Sequence, residues 1–529
     1  MTTNYLSILA ETIRTNWDQP ALTDFYLTED GTAQDTSRGN HYTYGGMYAE
    51  LCRVADMLTS LGLQKGDHIA ICGANSAHWV IAYLAVAKMQ GIVATILHTR
   101  LPEDIISQIE FSDAKALFTD EEIWGEISPR LGSKELCSIE CPMDIHRTKK
   151  GGEVAAVLSL ANWSLLDGNS DRAMTERQPR EDREITFPRS EPDDLAMICF
   201  TSGTTESPKG IMLSYGNLEN NIIDTKLIYP NTKSSNILSL FPFGHMLGLH
   251  FELLSQLSFG KNIHLFCDIK TTDNLFNAYK IVKPYAIASA PLLIKSIVDR
   301  YPQAFFDLLF QSCKYIIFGG AKLNEEIVYK MIQDGIGVTN AYGMSETGAI
   351  ISGSTSATYK YPSCGKVLQG NKIRISPAGE ILVKGENVML GYYKDPEATA
   401  AKIDSDGWLH TGDKGHLDED GYLYVEGRLE QDIIVLPNGE NIRPDNIESL
   451  INALPEVSES IVLVRDGKLV AIVVPNPSYK VDNIEEFSRK ILYAINPQLP
   501  LYSQLYGLEI SPTPLARTEK QTIKRYLYK

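Results

Sequence analysis

The stretch Leu195-Ala196-Met197-Ile198-Cys199-Phe200-Thr201-Ser202-Gly203-Thr204-Thr205-Glu206-Ser207-Pro208-Lys209-Gly210 decides how this chain reads. Leu195–Phe200 is an apolar run that predicts a buried strand. The ten residues after it hold five hydroxyls, two glycines and one lysine. Glycines let the backbone bend so that successive N–H groups converge on an anion. Hydroxyls add donors, and Lys209 adds a point charge for phosphate oxygens. Composition alone fits a solvated loop equally well, so the reading depends on what the rest of the chain carries.

One phosphate-loop class is excluded at once. The Walker-type loop needs glycine before its lysine and Ser or Thr after it. Pro208 and Gly210 stand in those places.

Upstream of the loop the chain alternates. Apolar residues recur at helical spacing over Tyr48–Leu61, and His68–Cys72 is a short β-type run ending at Gly73. Ala77–Met89 predicts a helix and Ile92–Leu97 a strand. This alternation predicts parallel strands with crossover helices, which bind ligands at the carboxyl ends of the strands. Between about Lys149 and Asp194 the sequence is polar and weakly periodic, which predicts a long surface excursion. Downstream, Ile237–Phe241, Ile263–Phe266, Ala286–Ser289 and Tyr315–Phe318 are strand candidates in a second alternating region. From about Gly365 short strands and turns take over (Lys372–Ile375, Gly379–Val383, Gly421–Val425), predicting a small β unit. After Arg428 the order reads strand, helix, strand, helix.

A chain of 529 residues is too long for one ordinary core and predicts several packed units. Its 49 basic and 66 acidic residues leave a net charge of −17. Such a charge repels phosphate backbones and anionic lipid surfaces, so nucleic acid is not expected as a partner. Eight cysteines are scattered; Cys137 and Cys141 have no matching second pair, which disfavours zinc and a disulfide framework. Reduced thiols fit a cytoplasmic protein. Met1–Arg14 lacks the apolar run of a signal peptide. The most apolar stretch, Trp79–Leu97, is broken by Lys88, Gln90 and Gly91. It reads as a buried helix, a turn and a strand rather than a membrane span. Peripheral membrane contact and a homodimer are left open.

Three further motifs decide between cradle and plain loop. Tyr342-Gly343-Met344-Ser345-Glu346-Thr347-Gly348 places an aromatic ring, a hydroxyl and a carboxylate within five residues. Trp408-Leu409-His410-Thr411-Gly412-Asp413 ends on a carboxylate, and Gly427-Arg428 follows fifteen residues later. Together with Thr201–Gly210, these resemble the adenylate-forming superfamily of acyl-CoA synthetases, luciferase-like enzymes and adenylation domains. The resemblance runs from about Tyr42 to Arg525. The family loop has the form [ST]-S-G-[ST]-[ST]-G-x-P-K-G, and Glu206 stands where its second glycine is usual.

The resemblance implies roles. Thr201, Ser202, Gly203, Thr204, Thr205 and Lys209 would hold the triphosphate. Tyr342 would stack on adenine, with Ala341 and Gly343 beside it. Ser345 would bind the α-phosphate, and Glu346 would help hold Mg²⁺, which prefers oxygen ligands. Gly319, Gly320 and Ala321 resemble the strand end that lies against adenine. Asp413 would accept from the ribose hydroxyls, and Arg428 would contact ribose and phosphate. His245, in Pro242-Phe243-Gly244-His245-Met246-Leu247-Gly248, resembles the histidine at the acyl and pantetheine passage. Glu430 falls on the hinge position. Gly439, Asn441 and Arg443 lie in a loop read as the CoA side; Asn438–Glu448 resembles long-chain fatty acyl-CoA synthetases, the implied subgroup.

The implied fold is α/β. A large N-terminal AMP- and acyl-binding domain spans 1–427, with two αβαβα-type subdomains (about 1–190 and 191–364) and the small β unit (365–427). A small, mobile α+β domain, 428–529, would act as a lid. ATP, Mg²⁺ and CoA as co-substrate are the implied cofactors, and a small-molecule carboxylic acid is the implied substrate, with a medium- or long-chain fatty acid favoured by the subgroup resemblance.

One motif breaks. The family's C-terminal P-[KR]-T-x-x-G-K-[IV]-x-R carries a catalytic lysine. Thr518, Ile523 and Arg525 keep the register, but Gln521 and Thr522 occupy the Gly-Lys positions. Lys520 and Lys524 are the candidates to replace it. Losing one preorganised charge costs on the order of 10²–10³ in rate. Two alternatives therefore stand beside the acyl-CoA ligase: a free-standing ligase loading a carrier protein, and a nucleotide- or acyl-adenylate-binding protein without turnover.

Overall fold

The structure is a computed structural model. It describes residues 4–28, 31–35, 39–130, 136–138, 145–148, 156–159, 184–200, 208–229, 236–266, 271–319, 323–429, 434–436, 440–476, 479, 481, 483–516, 523 and 525–528. The chain divides into two compact units. The first comprises residues up to Gly427; the second comprises Arg428 onward, grouped with residues 99–101.

Within the first unit the strand leading into Thr201–Gly210 is the third of nine in a sheet, counted among the described residues. Its order is Gly391–Tyr392, Gly210–Ser214, Leu195–Phe200, Ile92–Ile96, His68–Cys72, Ala116–Thr119, Ala156–Ser159, Ile145–Thr148 and Leu136–Ser138. Leu195–Phe200 lies parallel to Ile92–Ile96, which lies parallel to His68–Cys72. Residues 156–159, inside the expected surface excursion, extend this sheet parallel to Ala116–Thr119. The apolar Ala-Val-Leu run there outweighs its polar surroundings.

The second sheet has the order Gly337–Ala341, Tyr315–Gly319, Ala286–Ser289, Asn236–Ser239, Asn262–Phe266, Pro20–Phe25 and His41–Thr43. The two sheets cross the subdomain boundaries read from sequence. Pro20–Phe25 pairs in parallel with Asn262–Phe266, and Leu195–Phe200 and Gly210–Ser214 join the first sheet instead of the second. Sheet membership is set by pairing along the whole length of a strand, which sequence position does not encode.

Between them runs helix Ala77–Lys88, buried on nearly every face, as its continuous apolar sequence requires. It ends in a turn at Gln90, φ 59°, before strand Ile92–Ile96. No helix among the described residues is long and apolar enough to cross a membrane. The small β unit is a four-stranded sheet of Asn371–Ile375, Glu380–Gly385, Leu409–Leu417 and Leu423–Arg428, its first three strands antiparallel.

In the second unit, helices Pro444–Asn452 and Ile484–Ile495 pack their apolar faces on a three-stranded sheet. The expected strand–helix–strand–helix order becomes strand, strand, helix, strand, strand, helix, strand among the described residues. Val457–Arg465 and Lys468–Pro475 form a hairpin. Its turn, Asp466-Gly467, has positive φ at both residues, the pairing that fits a two-residue hairpin.

Candidate active site

Phe200 and Gly210 are direct partners in an antiparallel pair, which sets the two ends of the Thr201–Gly210 motif side by side at the end of strand Leu195–Phe200. Thr201, Ser202, Gly203, Thr204, Thr205 and Glu206 lie outside the described residues. Lys209 is described: its ammonium lies 5.6 Å from the centre of the Tyr392 ring. Tyr392 comes from the edge strand that pairs with Gly210–Ser214, register Ile211 to Tyr392.

The Tyr392 hydroxyl donates to Glu346 Oε1 at 2.9 Å. Both side chains are buried. Burial, and then the Glu346 carboxylate, push the Tyr392 hydroxyl up, so it remains a donor. Glu346 also holds the edge strand through its carbonyl, which accepts from Met389 N at 2.9 Å. Its charge reaches Cys199 on strand Leu195–Phe200, whose thiol is pushed up by burial first and Glu346 second. Thus the carboxylate read as the metal ligand sits against the strand that feeds the phosphate loop.

The neighbouring motif is equally ordered. Tyr342 follows strand Gly337–Ala341 and donates its hydroxyl to Asp413 Oδ2 at 2.7 Å. Asp413 is set by Thr411, whose hydroxyl accepts from Asp413 N at 3.0 Å and donates to Ile381 O at 2.7 Å. Gly343 is required by packing: a Cβ there would fall 1.8 Å from Ala349 O. Gly319 and Ala341 are paired across adjacent strands, and a Cβ on Gly319 would lie 2.6 Å from Ala341 O. Ser345 opens the one-turn helix Ser345–Thr347, which carries Glu346.

His245 is half-buried in a turn closed by its own N–H to Pro242 O at 3.0 Å. Its Nδ1 accepts from Leu247 N at 3.2 Å, which leaves the neutral ring's proton on Nε2.

Several sequence-assigned residues fall elsewhere. Gly320, Ala321, Glu430, Gly439, Lys520, Thr522 and Lys524 lie outside the described residues. Arg428 ends strand Leu423–Arg428 and Asn441 lies in the short strand Asn441–Ile442. Arg443 precedes helix Pro444–Asn452 and is exposed. Arg525 does have a clear place: its guanidinium pairs bidentately with Glu448, Nη2 to Oε2 at 2.5 Å. Glu448 also accepts from Val462 N at 2.6 Å.

The sequence reading missed the residues that brace the site. Helix Tyr215–Ile228 follows strand Gly210–Ser214 and carries Asn217, Asn221 and Asp224, all buried. Asn217 donates to the carbonyls of Glu386 and Val388 at 2.7 and 3.0 Å. Asn221 donates to Thr347 O at 3.0 Å and accepts from Ile350 N at 3.0 Å. Asp224 accepts from Asn371 and Asn387. Their spacing of i, i+4, i+7 was the available signal: a polar stripe on one helical face.

Mg²⁺ is bound through one or two carboxylates plus substrate phosphates and keeps several waters. Glu346, oriented by Tyr392 beside the hydroxyl-bearing Ser345, fits that mode. No group of three His, Cys, Asp or Glu among the described residues could form a dedicated cage.

The structure thus sets Lys209 beside the Tyr392 ring and gives each of two carboxylates, Glu346 and Asp413, a tyrosine hydroxyl donor within an α/β unit. The chain belongs to the AMP-binding enzyme family: that family's model matches residues 9–393, and the model of the AMP-binding enzyme C-terminal domain matches residues 431–528. A 2-succinylbenzoate–CoA ligase of Bacillus cereus is 28% identical over 457 residues, 84% of each chain. The 4-coumarate–CoA ligase 3 of Arabidopsis thaliana is 26% identical over 539 residues, 93% of this chain and 87% of its own. The fold matches the solved o-succinylbenzoate CoA synthetase of Bacillus subtilis at a TM-score of 0.72 and 22% identity, covering 99% of this chain and 98% of that one. At the level these relatives share, the chain is an AMP-forming, ATP-dependent acid–CoA ligase using ATP, Mg²⁺ and CoA. They are not specifically long-chain fatty acyl-CoA synthetases, so the subgroup implied by Asn438–Glu448 gives way to this broader class.

Proposed function

We propose that the protein joins a carboxylic acid to ATP, giving acyl-adenylate and pyrophosphate, and then passes the acyl group to CoA. In the first step a carboxylate oxygen bonds the α-phosphorus and pyrophosphate leaves. In the second the CoA sulfur bonds the acyl carbon, its proton is lost and AMP leaves. The single observation that carries this is the pair of buried hydrogen bonds Tyr392–Glu346 and Tyr342–Asp413, which orient one carboxylate within the short segment Tyr342–Gly348 and hold a second against its first residue. The chemistry asks for positioning and charge neutralisation. Lys209 and the hydroxyls of 201–205 would hold the triphosphate, Glu346 the Mg²⁺ and Asp413 the ribose. Residues 428–529 would serve as the lid, with Glu430 as hinge.

Ring-bearing acids are the favoured substrate class, because both curated relatives, matched over most of their length, are named for such acids. A medium- or long-chain fatty acid is the second reading, supported by the Asn438–Glu448 loop. Purified protein incubated with ATP, Mg²⁺ and CoA against a panel of both classes should release AMP with one of them. No AMP release across the panel would overturn the activity. Acyl transfer to a carrier protein but not to CoA would replace the acceptor.

A further inference from the structure

The turn Phe241–His245 is gripped from several elements at once. Gly244 meets the strand end before it: a Cβ there would lie 2.7 Å from Leu97 Cα. Gly248 meets the turn itself, with a Cβ falling 2.6 Å from both Phe241 O and Pro242 O. From Gly248 to Leu254 the helix is widened to a π-helix, a rare form concentrated at functional sites. Glu252, on that helix, is fully buried and turns back to the turn's root. Its Oε2 accepts three hydrogen bonds: from Leu240 N and Phe241 N at 2.8 Å each, and from Ser239 Oγ at 2.9 Å. From the opposite side comes Asn75, between strand His68–Cys72 and helix Ala77–Lys88. Its Nδ2 donates to Phe241 O at 2.7 Å and Ser239 Oγ at 3.3 Å, and its Oδ1 accepts from Phe243 N at 2.9 Å.

We propose that Glu252 and Asn75 are positioning residues that clamp the Ser239–His245 segment and so aim His245 for acyl transfer; this rests on the function proposed above. Neither residue belongs to a nucleotide motif, and together they satisfy the backbone N–H of residues 240, 241 and 243 and the carbonyl of 241. His245 hangs from the same turn through Pro242 O.

Glu252 acts as the neutral acid. Burial pushes its carboxyl up to about 8 against the pull of the Phe241, Ser239 and Leu240 donors. The titratable groups that face it are Tyr229 and Tyr279, with Cys313 beside both, and burial pushes all three up, so none supplies a charge. Its Oε1 has no hydrogen-bond partner. Ionisation above about pH 8 therefore puts charge on an unsolvated oxygen, and the clamp must rearrange to accommodate it.

The test uses the full chain in four forms: wild type, Glu252→Gln, Glu252→Leu and Asn75→Ala. Gln keeps an acceptor oxygen for the three donors; Leu keeps the bulk and leaves them unpaired. Acyl-CoA formation should fall about 10–100-fold in Glu252→Leu and Asn75→Ala and stay within about threefold in Glu252→Gln, with the KM for ATP unchanged in all. The wild-type rate should decline as pH passes about 8, and that decline should vanish in Glu252→Gln. Unchanged transfer in Glu252→Leu, equal damage in Gln and Leu, or a decline retained in Glu252→Gln each overturns the proposal. A second readout does not need turnover. The rate of His245 carbethoxylation, followed by peptide mass spectrometry, should shift at least threefold in Glu252→Leu and not in Glu252→Gln. If wild type makes no acyl-CoA, the proposed function fails on its own, and an unshifted His245 rate in Glu252→Leu still overturns the clamp.

Discussion

Tyr392→Phe isolates the contact that orients the proposed metal ligand. The substitution removes one hydroxyl, the donor to Glu346 Oε1 at 2.9 Å. It keeps the ring 5.6 Å from the Lys209 ammonium, and it keeps the backbone pairing of Tyr392 with Ile211. The fold should therefore stand, while Glu346 loses a charge-assisted hydrogen bond in a site where both partners are buried. Such a bond contributes about 1.5–3 kcal/mol, and its loss corresponds to roughly 10–100-fold in an equilibrium. A carboxylate free to swing pays that difference when Mg²⁺ and nucleotide fix it. The assay is acid-dependent ATP–pyrophosphate exchange at saturating ATP with Mg²⁺ varied. The Mg²⁺ concentration for half-maximal exchange should rise about tenfold or more, with a thermal midpoint close to wild type. In the Glu346→Gln background, Tyr392→Phe should add little, because contacting residues couple. A Mg²⁺ requirement within twofold of wild type, or full additivity of the two substitutions, would refute the reasoning.

Other outcomes follow from the same geometry. Asp413→Ala should raise the KM for ATP about 10–100-fold in pyrophosphate exchange, since it deletes the acceptor that Tyr342 holds in place. Gly343→Ala should lower stability by about 3 kcal/mol or more, read in thermal unfolding, because its Cβ would lie 1.8 Å from Ala349 O and backbone cannot yield as a side chain does. Glu252 has a folded pKa of about 8 against an ordinary 4.5, so the folded state holds the proton more tightly than the unfolded chain. Its contribution is complete below about pH 4.5 and declines by up to ~1.4 kcal/mol per unit as pH rises toward 8; urea midpoints should fall over that range in wild type and less in Glu252→Gln. Thr522→Lys should speed adenylation roughly 100-fold if no other residue fills the charge, and an unchanged rate would mean that Lys520, Lys524 or Lys209 already does so.

What the sequence made legible is what depends on local chemistry. Glycines and hydroxyls recur in Thr201–Gly210, Tyr342–Gly348 and Trp408–Asp413, with Lys209, Glu346 and Asp413 as the charged groups that the family resemblance marks. Strand edges such as His68–Cys72 and Ala286–Ser289 were readable because a buried strand is continuously apolar. Sheet membership was not readable. Pro20–Phe25 lies beside Asn262–Phe266 across more than two hundred residues, and nothing in either stretch names the other. The widened helix Gly248–Leu254 has no local signature either, because its Glu252 is set against groups eleven to thirteen residues earlier.

The braces were hidden for a related reason. Tyr392, Asn217, Asn221, Asp224, Asn75 and Glu252 share no motif, yet each satisfies backbone or carboxylate groups of a segment that presents a site residue. A polar side chain in an apolar context is costly unless paired, so its presence in a buried helix face is a statement about a partner elsewhere. In Tyr215–Ile228 the partners are the segments 347–350, 370–371 and 386–388, which flank Glu346 and lead to Tyr392. One helix thereby ties the Ser345–Thr347 turn, the edge strand and the small β unit into a single frame around the antiparallel pair Leu195–Phe200 and Gly210–Ser214. The ligand-facing residues could change the chemistry of this site, but the buried amides and carboxyls decide whether those residues meet at all.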